Sequence, residues 1–146
     1  MVGASFRIEI DDASAKQALA GLLEKAQDLT PAMDEIGAML VTSTLRRFET
    51  GQAPGGAPWP PSARAIRDGG QTLVDSGRLR DSITHYPSRD QVVVGSNVVY
   101  AAIHQLGGRA GRGGAAKIPA RPYLGVDAGD KAEVVNILSD YLGRLN

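Results

Sequence analysis

Ile83-Thr84-His85-Tyr86-Pro87-Ser88-Arg89-Asp90-Gln91-Val92-Val93-Val94-Gly95 decides the fold class. It predicts two strands, Ile83 to Tyr86 and Gln91 to Gly95, joined across Pro87-Ser88-Arg89-Asp90 as a hairpin. Working toward the N-terminus, Leu73 to Ile83 reads as a short helical piece that Asp75 or Ser76 could cap, with Leu79 and Ile83 facing inward. Before it, Gly51 to Pro61 holds four prolines and three glycines around the only tryptophan, Trp59. Proline lacks a backbone donor and glycine loses entropy on ordering, so this stretch is neither helix nor central strand. A long loop at about 51–70 is expected.

Further upstream the pattern turns helical. Thr30-Pro31 opens a helix in which Thr caps and Pro occupies the first turn. Met33, Ile36, Leu40 and Val41 supply its apolar contacts, and Phe48 extends them. Asp34 and Glu35 lie near its positive end and Arg46 and Arg47 near its negative end, as the helix dipole favours. An earlier helix is expected behind the capping-box spacing Ser14/Gln17, with a stripe of Ala18, Leu19, Leu22, Leu23, Ala26 and Leu29. Ser5-Phe6-Arg7-Ile8-Glu9-Ile10 alternates with period two, as a half-buried strand does.

Working toward the C-terminus, Val99, Ile103 and Leu106 have helical spacing, and Gly107-Gly108 stops that helix. Gly107 to Lys117 is a basic, glycine-rich loop that touches a nucleic-acid backbone or orders against a partner subunit. Lys117 to Val126 is extended, with an edge strand compatible with its prolines. Asp130 and Glu133 have capping-box spacing, and Val134, Leu138, Tyr141 and Leu145 make a closing amphipathic helix. The expected fold is α+β: a small mixed or antiparallel sheet packed against an N-terminal helix pair and a C-terminal helix. A chain of 146 residues fits one domain, 1–146, with its long loops at about 51–70 and 107–117.

Composition narrows the function classes. Sixteen basic residues balance sixteen acidic ones, so no net field draws the chain to nucleic acid. The charges are unevenly spread: Met1 to Ile36 carries seven acids against three bases, and Gln91 to Val126 carries no acid. One acidic and one basic region can attract two copies head to tail, although both can also be ordinary solvated surface. There is no cysteine, hence no disulfide framework or thiolate metal site. No signal-peptide pattern and no apolar run of ~20 residues is present, so a cytoplasmically assembled protein that spans no membrane is expected.

No constellation for catalysis emerges. His85 and His104 are the only bases of the usual kind, with no nucleophile elbow and no metal-ligand spacing between them. Both read as structural histidines. The Gly107 to Gly114 loop lacks the strand, lysine and following helix of a phosphate loop. No enzyme, cofactor or metal is therefore expected. Trp59 is either a lid on the domain's own core or an anchor in a neighbour, since interface hot spots are rich in Trp and Arg.

Three segments in order, Leu73 to Ile83, Val94 to Gly108 and Ile118 to Val126, resemble the phage virion morphogenesis family, which includes tail-completion and neck proteins. The resemblance covers nearly the whole chain. It implies a structural virion protein in head–tail joining or tail completion. That protein would form a homo-oligomeric ring, a hexamer or dodecamer, at the neck or top of the tail, assembled in the host cytoplasm. It implies neighbouring neck, connector, tail-tube or terminator proteins as partners, with passing DNA as a further contact. The alternative is a DNA-contacting module using the basic loop. Structural positions carried over are Tyr100, His104 and Gly107-Gly108 in the second segment and Pro119, Arg121, Pro122 and Tyr123 in the third. With Trp59, Arg109 and Arg112 these, the two glycines aside, make up the expected subunit interface. Pro119 and Pro122 stiffen the segment they flank, and Arg121 between them offers a planar fork to a carboxylate on the adjacent subunit or within its own chain.

Overall fold

The computed structural model describes residues 3–9 and 28–144. Its sheet is built around the hairpin. Strand β1 (Ala4–Glu9), β2 (Thr84–Pro87) and β3 (Gln91–Ser96) form an antiparallel sheet in the order β1-β3-β2. Period-two alternation sorts the faces: Phe6, Val94 and His85 stand in register on one side, while Arg7 and Tyr86 point away and are exposed. Val92 and Val94, at 0% exposure, are the centre of the core.

Helix α1 (Thr30–Thr50) crosses that inner face. Met33, Ile36, Gly37, Leu40, Thr44, Arg47 and Phe48 recur every three or four residues and are all buried, the stripe a sheet-covering helix requires. Thr30 does not cap it. Leu29 occupies the cap position without a side-chain bond, and Asp28 accepts from both the backbone N–H and the hydroxyl of Thr30 instead. Those bonds hold the Asp28 carboxyl below its ordinary 3.8. The expected helix before α1 falls on residues 10–27, outside the described residues.

The stretch at 51–70 is more ordered than a loop. Gly51 ends α1 in a left-handed conformation, and Gln52 bridges to Pro58. The backbone N–H of Trp59 then returns to Gly51 O at 2.8 Å. Ser62 caps a short helix, α2 (Ala63–Asp68), by accepting from Ala65 N at 3.1 Å. Helix α3 (Arg78–Asp81) follows, with Ser76 Oγ accepting from Arg78 N, and Leu79 and Ile83 buried as expected.

Helix α4 (Ala101–Leu106) forms where the periodicity puts a helix, but Ala101 is the residue it buries. Val99 is 83% exposed and Leu106 is 75% exposed. The expected basic loop is a two-stranded ribbon, β4 (Gly108–Ala110) with β5 (Ala116–Ile118), turning through a 3-10 segment at Arg112–Gly114. Helix α5 (Ala128–Gly143) packs on α1. Its capping box is Asp127 with Asp130, three residues earlier than the spacing Asp130/Glu133 predicts. Ile137 and Leu142 are its most buried apolar residues, with Val134, Leu138 and Tyr141 beside them, and Leu145 lies outside the described residues. The chain is α+β: an antiparallel sheet, a helical layer over one face, and a small ribbon.

Candidate functional site

An extended segment outside any sheet still has backbone groups to satisfy. From Arg121 to Gly125 the chain supplies partners for most of them. The side-chain amide of Gln105, on α4, accepts from Tyr123 N and Leu124 N at 3.0 Å each, and donates to Leu124 O at 3.0 Å. Arg121 N donates to His104 O at 2.8 Å. Trp59 Nε1 donates to Pro122 O at 2.7 Å, and Arg47 Nη1 donates to Tyr123 O at 2.9 Å and Gly125 O at 3.1 Å. The Tyr123 hydroxyl donates to Ala101 O at 2.7 Å. Its burial pushes the phenol well above its usual range.

The expected interface residues therefore divide. Trp59, Arg121 and Tyr123 are internal within this chain, each less than a tenth exposed. Trp59 is a lid: it meets Phe48 edge-on at 5.7 Å between ring centroids, and Phe48 meets Tyr123 at 5.3 Å. The carbonyl of Pro122 is taken up by that lid. Pro119 is exposed. Tyr100 and His104 are half-buried, their rings edge-on at 5.9 Å, with the Arg78 guanidinium 6.0 Å from the Tyr100 centroid.

Arg109 and Arg112 are exposed on the ribbon. Arg109 is paired directly across from Lys117, and its Nη1 donates to Gly114 O at 3.3 Å. Like charges opposite one another on a ribbon repel. Among the described residues no ion pair relieves this cost, since none includes Arg109 or Lys117.

Between α2, α3 and α4 lies a cleft of about 380 Å³. Arg64, Arg78 and Arg121 line it with Tyr100 and His104, and Asp75 is its single carboxylate among the described residues. Burial pushes His104 below its ordinary 6.5, and the neighbouring Arg121 cation adds to the shift. Burial also lowers Arg121. A larger groove of about 570 Å³ separates α1 from the start of α5; Arg47 and Asp130 in its wall already pair with each other.

His85 lies apart from both clefts. Its Nε2 is 2.8 Å from Asp34 Oδ1, so it ties β2 to α1. Among the described residues no helix is long and apolar enough to cross a membrane.

The internal clamp was missed by sequence reasoning in two places. Arg47 sits on the buried stripe of α1, and a lone cation on an apolar face is the readable sign of an internal partner. Gln105 carried no such sign, because its role depends on where residues 123 and 124 return.

No solved structure matches the chain. It is 37% identical over 139 residues to the Mu-like prophage FluMu G protein 2 of Haemophilus influenzae, covering 94% of this chain and 96% of that one. It is 33% identical over 130 residues to the putative capsid assembly protein G of Escherichia phage Mu, covering 73% of this chain and 83% of that one. The model of the phage virion morphogenesis family matches residues 10–143, which take in α1 to α5, the clamp and the ribbon. The chain belongs to the phage virion morphogenesis family and is a virion-associated protein of particle assembly.

Proposed function

We propose that the chain is a non-catalytic structural subunit acting in head–tail joining or tail completion, assembled as a ring at the neck or top of the tail. The observation that carries this reading is the basic ribbon beside Leu106, a large apolar side chain left exposed two residues before it, with Val99 likewise exposed just before the other end of α4. Apolar side chains flanked by charge are the composition of an interface core and its rim. In a ring each copy offers this surface to a different surface of the next, a head-to-tail contact that closes on itself. Family membership supplies the setting. The test is sedimentation velocity on the purified chain with Leu106→Glu and Val99→Glu. Both variants stay folded, because neither position is in the core, and both shift the population to monomer. Unchanged assembly in both would sink the reading.

A second reading, contact between the ribbon and passing DNA, is favoured by the repelling Arg109/Lys117 pair. It predicts salt-dependent binding to short duplex DNA that Arg109→Ala with Arg112→Ala abolishes.

A further inference from the structure

We propose that the cleft between α2, α3 and α4 is a carboxylate-binding site, filled in the assembled particle by an Asp or Glu side chain of an adjacent copy. This rests on the assembly reading above, and names what one of its contacts recognises.

The argument starts from two buried arginines that the same chain treats differently. Arg47 is 5% exposed and has the ordinary solution for a buried cation: a carboxylate, Asp130, at 2.6 Å and two backbone carbonyls. Arg121 is 7% exposed, yet its side chain has a single partner, Pro60 O, which accepts from Nε at 2.6 Å. Both Nη groups are left without a partner among the described residues, and they open to the cleft. A guanidinium taken out of water without a carboxylate is costly, and the planar fork it presents fits one bidentately.

His104, which also lines the cleft, has a buried Nδ1 with no hydrogen-bond partner among the described residues. Arg64 and Arg78 add two more cations to the walls, so three arginines face a single acid. That acid does not answer Arg121: Asp75 is 81% exposed and reaches only Arg64, at 3.8 Å. The cleft is thus a positively charged space in which the Arg121 fork is unpaired, and a carboxylate completes it. An adjacent copy is the source because the chain's acids are concentrated elsewhere. None lies between Gln91 and Val126, while Glu133 and Asp140 are exposed on α5.

Arg121 also holds Pro60, so removing it tests folding as much as recognition. Two other variants isolate recognition. Ser62→Asp places a carboxylate in the cleft wall while keeping the α2 cap, since Asp caps as well as Ser. Arg78→Ala removes a wall cation whose guanidinium makes no hydrogen bond among the described residues and stands 6.0 Å from the Tyr100 ring centroid. The full-length chain is titrated with glutarate, following the arginine Nε–H and histidine ring signals by NMR, and self-association is measured with and without glutarate.

The expected result is saturable shifts at Arg121 and His104, weakened roughly tenfold or more by either variant, with glutarate and Ser62→Asp both reducing self-association. No saturable shift, or binding by both variants as tight as by the unaltered chain, overturns the proposal. Glutarate binding that leaves self-association untouched overturns the adjacent copy as the source and assigns the cleft to a free acid. A chain that stays monomeric at every concentration contradicts the ring reading instead, and the glutarate titration then decides the cleft on its own.

Discussion

Arg47 Nη2 and Asp130 Oδ2 meet at 2.6 Å across the α1–α5 contact, both inside the protein. The pair joins two helices that are 83 residues apart in sequence at this point. Asp130 also closes the α5 capping box by accepting from Asp127 N, and Arg47 holds the carbonyls of Tyr123 and Gly125. Asp130→Ala leaves the buried Arg47 with only the looser Asp127 carboxylate, at 3.7 Å, and opens the cap. It is expected to cost about 3–5 kcal/mol in urea unfolding. Replacing both partners together, Arg47→Met with Asp130→Leu, is expected to recover part of that loss. A single variant that costs less than about 1 kcal/mol would show that the pair is not what holds α5 to α1.

Gly37 marks the closest approach of α1 to the sheet. A Cβ built there would lie 2.4 Å from His85 Cδ2 and 2.8 Å from Val92 Cγ2. Alanine normally stabilises a helix interior by about 1 kcal/mol over glycine. Here overpacking is expected to reverse the sign, with a net loss of about 1–3 kcal/mol for Gly37→Ala. Gly143, with nothing within 4 Å of its added Cβ, serves as the control and is expected to be neutral or slightly stabilising. Denaturant midpoints for the two variants check the contrast.

Trp59 is the chain's only tryptophan, which makes its burial directly observable. Native emission is expected to be blue-shifted and poorly quenched by iodide, moving to the solvent value on unfolding. Trp59→Phe keeps most of the lid but leaves Pro122 O without its donor, an expected cost of about 1–3 kcal/mol. Native emission already at the solvent value would mean that the lid is open and that Trp59 is available to a neighbour after all.

His104 gives the protein a pH dependence with a definite sign. The folded chain holds the ring below its ordinary 6.5, so below that pH the unfolded chain binds the extra proton first. Stability contributed by this site is present above 6.5, falls as the pH drops below it, and stops falling once the folded ring is also protonated. A wild-type chain should therefore lose more stability between neutral and mildly acidic pH than His104→Gln does. Parallel pH profiles for the two proteins would contradict the assignment.

The elements that were legible in the sequence are those that carry their own period. The alternation at Phe6 and Ile8, the hairpin around Pro87 to Asp90 and the stripe of α1 each state which face is buried. Val99, Ile103 and Leu106 mislead because periodicity identifies a helix but not what lies outside it. The core side of α4 is set by Ala101, which nears the chain around Gly3, a contact no local pattern encodes. The ribbon was hidden because Gly108-Arg109-Ala110 and Ala116-Lys117-Ile118 are too short to alternate. Helix α2 was masked by its proline-rich surroundings, though Ser62 before Ala63-Arg64-Ala65-Ile66 is a readable start.

The candidate site was legible in its parts and not in its geometry. Tyr100, His104 and Arg121 were singled out along the chain, and the fold brings all three to one cleft. Arg64 and Arg78 were absent from that set because α2 and α3 reach the cleft through tertiary packing alone. Whether Arg121 reaches an adjacent subunit or its own chain was open in the sequence, since its neighbours Pro119, Ala120 and Pro122 suggest an exposed strap. The carbonyls of Pro60 and His104, distant in sequence, are what draw it inward.

Cryo-electron microscopy of mature particles that contain this protein tests its role as an assembly subunit most directly. A closed ring of copies at the junction of head and tail, with Val99, Leu106 and the Gly108 to Ile118 ribbon against the next copy, is the predicted result. Particles that are complete and infectious without the protein at that junction would contradict it.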